Sequence, residues 1–250
     1  MPYLQFHNLE MYYEQMGTGD PVLFLHSGFS RGILAFASQI LDFQRKYTCY
    51  FPDFRGHGRT QSYSLEWSTP RHVEDIIEFM DQLHISNAHV IGYGMGGGVA
   101  LHCAVSHPHR IASLTSIGQC GFVASKRSEE FEPEWLLQNG HNDFINSMIE
   151  RHMDAHQGNW QEFLRQKVKD WRTYPRLNDE ELSSIACPIL FIAGQYDELA
   201  PEDDLKRSAA LIHNSRYVIV PGSSHRPHMN GENPVFVNDT ILNFIETQHS

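Results

Sequence analysis

The sequence predicts an α/β fold, with a mostly parallel central sheet, helices on both faces and one helical insertion. Three observations predict it. Short runs rich in β-branched and aromatic residues alternate with helix-length amphipathic segments, the pattern of parallel strands joined by crossover helices. Polar residues gather just after the expected strands, where open α/β sheets bind ligands. The stretch His89–Leu101, HVIGYGMGGGVAL, passes from an apolar run through a glycine-rich corner into an apolar helix.

The elements follow in order. YLQFHNLEMYYEQ reads as an opening hairpin of antiparallel edge strands. Pro21–Ser27 is a buried third strand, followed by a helix over roughly Ile33–Lys46. YTCYFPDF is the fourth strand and GHGRTQSYS a polar loop. Pro70 suits the first turn of a helix over RHVEDIIEFMDQLH. AHVIGYG is the fifth strand, MGGGVALHCAVSH the helix leaving the corner, and RIASLTSIG the sixth strand. CPILFIAGQYD and RYVIVPGSSH are the last two strands, and NPVFVNDTILNFIETQ is a closing amphipathic helix.

Between Gly121 and Ala186 the alternation gives way to helical spacing, many charges and large apolar residues. The stretch is too long for a simple crossover. Residues 1–121 and 187–250 are therefore expected to form the core, and residues 122–186 a helical cap inserted after the sixth strand.

Composition narrows the function. At 250 residues, with 41% hydrophobic and 20% charged residues, the chain suits one globular domain. No apolar run reaches membrane length, and the opening MPYLQFHNLEMYY has neither the basic nor the apolar part of a leader, so a cytoplasmic location is expected. Cys49, Cys103, Cys120 and Cys187 are scattered and expected to be reduced. A net charge of −11 argues against nucleic acid or an anionic membrane as partner. A small-molecule substrate, handled by a monomer or homodimer, is the remaining class.

The glycine corner carries the chemistry. A strained strand-to-helix turn of pattern G-x-S-x-G lifts a serine nucleophile into the open. Here Gly92 and Gly96 hold the outer positions, but Gly94 stands between them. Around it, His26-Ser27-Gly28-Phe29 follows the third strand, Asp53 and Arg55-Gly56-His57-Gly58 the fourth, Asp197 the seventh and His225 the eighth.

In these parts and their order the chain resembles the α/β-hydrolase superfamily, of the capped, esterase-like serine-hydrolase type, over nearly its whole length. The resemblance implies that His225 is the base, Asp197 the acid that orients it, and Gly94 the nucleophile position. It also implies that Phe29 and Met95 give backbone N–H groups to an oxyanion hole, and that DFRGHGRT shapes the floor of the site. In such a site the imidazole takes the nucleophile's proton, the carboxylate fixes its tautomer, and the N–H pair receives the developing oxyanion. A small, largely apolar ester or acyl substrate is expected, held by His26, Ser27, Gly28 and Tyr93 on the sheet side and by Phe131, Trp135, Phe144 and Trp171 of the cap. No cofactor and no metal is expected.

Glycine at position 94 leaves several readings open. It marks either an inactivating Ser-to-Gly change or a lineage that abandoned serine attack. In the second case His225 serves a lyase or isomerase as base, or the fold serves as a ligand-binding or signalling module. Cys120, just past the sixth strand, is a weaker candidate nucleophile, since most such cysteines are buried and structural. Ser27, Ser223 and Ser224 read as loop groups, and Asp53 as structural. Neither His107 with His109 nor His225 with His228 has a third metal ligand at workable spacing.

Overall fold

The computed structural model describes residues 3–6, 8–122 and 127–248. Among these, nine strands form one sheet: β1 (Tyr3–Phe6), β2 (Leu9–Met16), β3 (Asp20–Leu25), β4 (Tyr47–Pro52), β5 (Gln61–Ser62), β6 (Ala88–Tyr93), β7 (Ile111–Ile117), β8 (Ile189–Gly194) and β9 (Ser215–Val220). The order is β1-β2-β4-β3-β6-β7-β8-β9, with the two-residue β5 on β2. The hairpin β1–β2 and the pair β2–β4 are antiparallel, and all pairs from β4 through β9 are parallel. This is the expected mostly parallel sheet, and strand β5 is the one the sequence did not suggest.

Period-two side-chain alternation divides the interior into two cores. Leu23, Leu25, Val90, Leu114 and Phe191 face one way, toward Phe79 of helix Thr69–Gln82 and Val99 of helix Met95–Ser106. Val22, Phe24, Ile91, Ile117, Leu190 and Ile192 face the other, toward Phe36, Phe43 and Ile241 of the helix Pro234–Glu246. Residues buried on both sheet faces read as continuous apolar runs, which is why these strands were visible in the sequence.

The helix expected over Ile33–Lys46 is instead two short helices, Gly32–Ala35 and Ile40–Phe43. The break lets Phe36 and Gln39 both turn inward. Gln39 Nε2 donates to the carbonyl of His228 and to Asn238 Oδ1, each at 2.8 Å, tying this segment to the C-terminal helix. Helix Thr69–Gln82 starts as expected around Pro70, with Ser68 Oγ accepting from Arg71 N. A helix at Glu202–Leu211, not anticipated, covers β8 and β9.

Among the described residues a 3-10 turn, Ser128–Phe131, and five α-helices lie between β7 and β8: Pro133–Gln138, Asn142–Arg151, Met153–His156, Trp160–Thr173 and Asp179–Ser183. Leu136, Ile145, Met148, Phe163 and Leu164 give helices Pro133–Gln138, Asn142–Arg151 and Trp160–Thr173 a small core of their own, while Leu182 of the last helix joins the main core. The expected start of this segment, near residue 122, runs into residues 123–126, which lie outside the described residues. No helix among the described residues is long and apolar enough to cross a membrane.

Candidate active site

The carboxyl end of the sheet builds one wall of a cavity. At the corner between β6 and helix Met95–Ser106, Gly94 takes φ 53° and ψ −115°. This left-handed backbone is strained for any residue with a side chain. A Cβ on Gly96 would stand 2.0 Å from the Leu25 carbonyl oxygen, and one on Gly92 2.4 Å from that of Gly96. The corner closes only because both are glycine. The Gly94 N–H donates to the Ile117 carbonyl at 2.9 Å, fastening the corner to β7.

Asp197 and His225 arrive from the ends of β8 and β9. His225 Nδ1 lies 3.0 Å from each oxygen of Asp197. Asp197 Oδ1 also accepts from the N–H groups of Leu199 at 2.9 Å and Ala200 at 3.0 Å, so the buried carboxylate is fixed before it meets the imidazole. The Nε2 of His225 points toward the corner. A Cβ on Gly94 would stand 3.8 Å from it, one bond away from hydrogen-bond reach for a hydroxyl carried there. The same Cβ would press on Ser27 Cβ at 3.2 Å.

The cavity has a volume of about 1270 Å³. Of the residues expected at the site, Ser27, Gly28, Phe29, Tyr93, Gly94, Met95, Phe131, Phe144, Trp171 and His225 line it. The backbone N–H groups of Phe29 and Met95 pair with no acceptor among the described residues. Phe131 stacks on Phe29 at 4.9 Å between ring centroids, and Phe144 and Trp171 meet its edge at 5.4 and 5.9 Å. The aromatic wall thus begins on the loop after β3 and continues into the helices.

Two expected lining residues lie elsewhere. His26 is fully buried, donates from Nδ1 to the Ser27 carbonyl at 2.8 Å, and accepts from the Phe54 N–H at Nε2. Both nitrogens are spent on joining the ends of β3 and β4, and burial holds its pKa down at about 4. Trp135 stacks on His141 at 5.2 Å and packs against the small helical core rather than the cavity.

The weaker candidates also find places. Cys120 is buried in the main core, where desolvation pushes its thiol pKa up, away from thiolate reactivity. Asp53 accepts from the N–H of Gly32 at 2.7 Å and of Arg59 at 2.9 Å, a structural brace. Ser224 is held by Glu232. No group of three or more His, Cys, Asp or Glu side chains among the described residues is arranged to hold a metal.

Sequence reasoning missed Lys167, Asp170, Arg151 and Gln119, all of which line the cavity. For Lys167 a signal existed. Trp160, Phe163, Leu164, Lys167, Val168 and Trp171 follow one helical stripe, so the lysine occupies a slot where an apolar residue belongs.

The Alpha/beta hydrolase family matches residues 22–240. A non-heme haloperoxidase of Rhodococcus erythropolis is 24% identical over 267 residues, covering 95% of this chain and 96% of that one. A thermophilic esterase from Thermogutta terrifontis, 22% identical, superposes with a TM-score of 0.79 over 97% of this chain and 95% of its own. The enol-lactonase from Burkholderia xenovorans LB400, 18% identical, gives a TM-score of 0.79 over 98% of this chain and all of its own.

Proposed function

The chain belongs to the alpha/beta hydrolase family, and from that premise we propose that it holds small, largely apolar ester or acyl substrates in a site armed with a base but no side-chain nucleophile. The observation that carries this reading is the aim of His225, oriented by Asp197 and directed at a position where Gly94 offers nothing to deprotonate. Helices of the segment 122–186 serve as the cap that buries the substrate's apolar part against Phe29, Phe131, Phe144 and Trp171.

Water takes the serine's place. His225 Nε2 removes a proton from a water lodged beside Gly94, and the hydroxide adds to the substrate carbonyl carbon. The Phe29 and Met95 N–H groups receive the oxyanion. The tetrahedral intermediate collapses, His225 returns the proton to the leaving oxygen, and acid and alcohol depart. No acyl-enzyme forms. Binding and oxyanion stabilisation alone keep roughly 10³–10⁴-fold catalysis over water, and proton removal by His225 adds about 10²-fold or more.

Turnover of p-nitrophenyl butyrate tests this. The chain should give a slow, linear release of nitrophenol with no burst, no labelling by a fluorophosphonate, and loss of activity in His225→Ala. A burst or a label on the unaltered chain contradicts the reading, as does full activity in the His225 variant.

A further inference from the structure

Lys167 lies on helix Trp160–Thr173 and is 5% exposed, yet it lines the cavity. Among the described residues it has no hydrogen-bond acceptor and no ion-pair partner. Its neighbours are rings: Nζ lies 5.4 Å from the centroid of Trp171, 5.7 Å from Phe29 and 5.9 Å from Trp67. Asp170, one turn further along, has its oxygens committed to Thr69, accepting from N at 2.6 Å and from Oγ1 at 2.9 Å. Burial lowers the lysine's pKa to about 8, which still leaves it charged at neutral pH.

A buried ammonium set among ring faces, with Asp170 near enough to favour its charge but not to pair with it, is costly, and a methionine would fill the same slot without that cost. The loop after β3 nonetheless makes room for the charge. A Cβ on Gly28 would stand 2.1 Å from both Cε and Nζ of Lys167. Glycine is needed there for space, since its backbone is not left-handed. The ammonium therefore rests against the loop that carries the Phe29 N–H. Of the other lining carboxylates, none of Glu130, Asp143, Glu198 and Asp204 forms an ion pair with it among the described residues. Asp143 and Glu198 are exposed, and Glu130 pairs with Arg127 at 2.7 Å.

Resting on the reading of this cavity as the substrate pocket, we propose that the substrate carries a carboxylate besides its ester or acyl group, and that Lys167 is its counter-ion. One ammonium among three rings suits a single carboxylate on a short apolar chain. A phosphate would call for several donors or a free guanidinium fork, whereas Arg151 of the same lining is committed to the Phe29 carbonyl and Ser147 Oγ, Arg127 pairs with Glu130, and Arg226 is exposed at the mouth. Lys167 is thus a specificity residue, which separates half-esters from neutral diesters.

The test is calorimetric binding of monoethyl succinate and diethyl succinate. On the unaltered chain the half-ester should bind at least tenfold more tightly. In Lys167→Met its affinity should fall about ten- to hundredfold while the diester's holds, because only the charged ligand loses a charge-assisted bond. Equal affinity of the two esters on the unaltered chain overturns the inference without recourse to any variant. A preference that survives in Lys167→Met overturns it too. If neither ester binds while Gly94→Ser turns over p-nitrophenyl butyrate, this inference fails and the hydrolase reading stands. If the half-ester is preferred through Lys167 but neither the unaltered chain nor Gly94→Ser hydrolyses esters, the hydrolase reading fails and the carboxylate site stands.

Discussion

On the sheet side of the cavity the backbone places the chemistry, whereas on the helical side the side chains do. Gly94, the Phe29 and Met95 N–H groups, Asp197 and His225 all sit at ends of strands whose register is fixed by parallel pairing. The facing wall is Phe131, Phe144, Lys167 and Trp171, set by the phase of short helices on a small core. On the proposed reading, the first wall fixes which reaction is possible and the second which substrate arrives. Substitutions in the two walls should therefore separate in their effects.

The largest effects are expected from the sheet wall, once a nucleophile is supplied. In a Gly94→Ser background, His225→Ala should lower kcat by up to about 10⁶-fold and Asp197→Asn by about 10⁴-fold. Ligand binding should change little in either. Steady-state kinetics beside calorimetry would show the split, and a matching loss of binding would break the division of labour.

The seam between the walls should respond to acid. His152, from the insertion, accepts from the Gly58 N–H at 2.9 Å, and its ring lies 5.4 Å from that of His57, which in turn neighbours His26 and His72. Burial is the main cause that lowers all four pKa values, to about 4 for His26, about 3 for His72 and well below 6.5 for His57 and His152. Folded values below the unfolded 6.5 mean that the unfolded chain binds more protons as pH falls. Their contribution is therefore complete above pH 6.5 and is lost below it, at about 1.4 kcal/mol per histidine by pH 5.5. Urea midpoints measured from pH 7.5 to 5 should fall steeply below 6.5. A flat profile would contradict the buried neutral cluster.

Within the helical wall the smallest contrast is Phe131 against Trp135. Phe131→Ala should weaken ester binding severalfold through lost contact with substrate and with Phe29. Trp135→Ala should leave affinity unchanged while lowering the melting temperature, because its ring serves the small core. Calorimetry and thermal melts on the pair decide it.

The same contrast explains what the sequence could tell. Glycines forced by close approach, and an acid and a base that must follow particular strands, leave marks readable in one chain. Asp197 and His225 are expected on those grounds, and the structure puts them in contact. His26 was misplaced because a residue just past a strand end can point into the fold as easily as into the cleft. Nothing in HSGF announces that Phe54 will offer it an N–H. Trp135 and Phe131 are four residues apart on neighbouring turns, and only the docking of the insertion decides which reaches the cavity. Lys167 breaks an apolar stripe, a faint signal in a single sequence because lysines on amphipathic helices are usually solvated.

The central claim is that the site is complete except at position 94, and back-substitution tests it most directly. Gly94→Ser, treated with a fluorophosphonate and assayed with p-nitrophenyl butyrate, should become labelled at the new serine. It should also gain a burst and turn over at least about a hundredfold faster. The strained backbone and the contact with Ser27 should cost about 1–3 kcal/mol of stability, read in the same preparation by thermal melting. A folded Gly94→Ser protein that is neither labelled nor active would contradict the account. His225 and Asp197 would then be positioned for something other than activating a nucleophile at that corner.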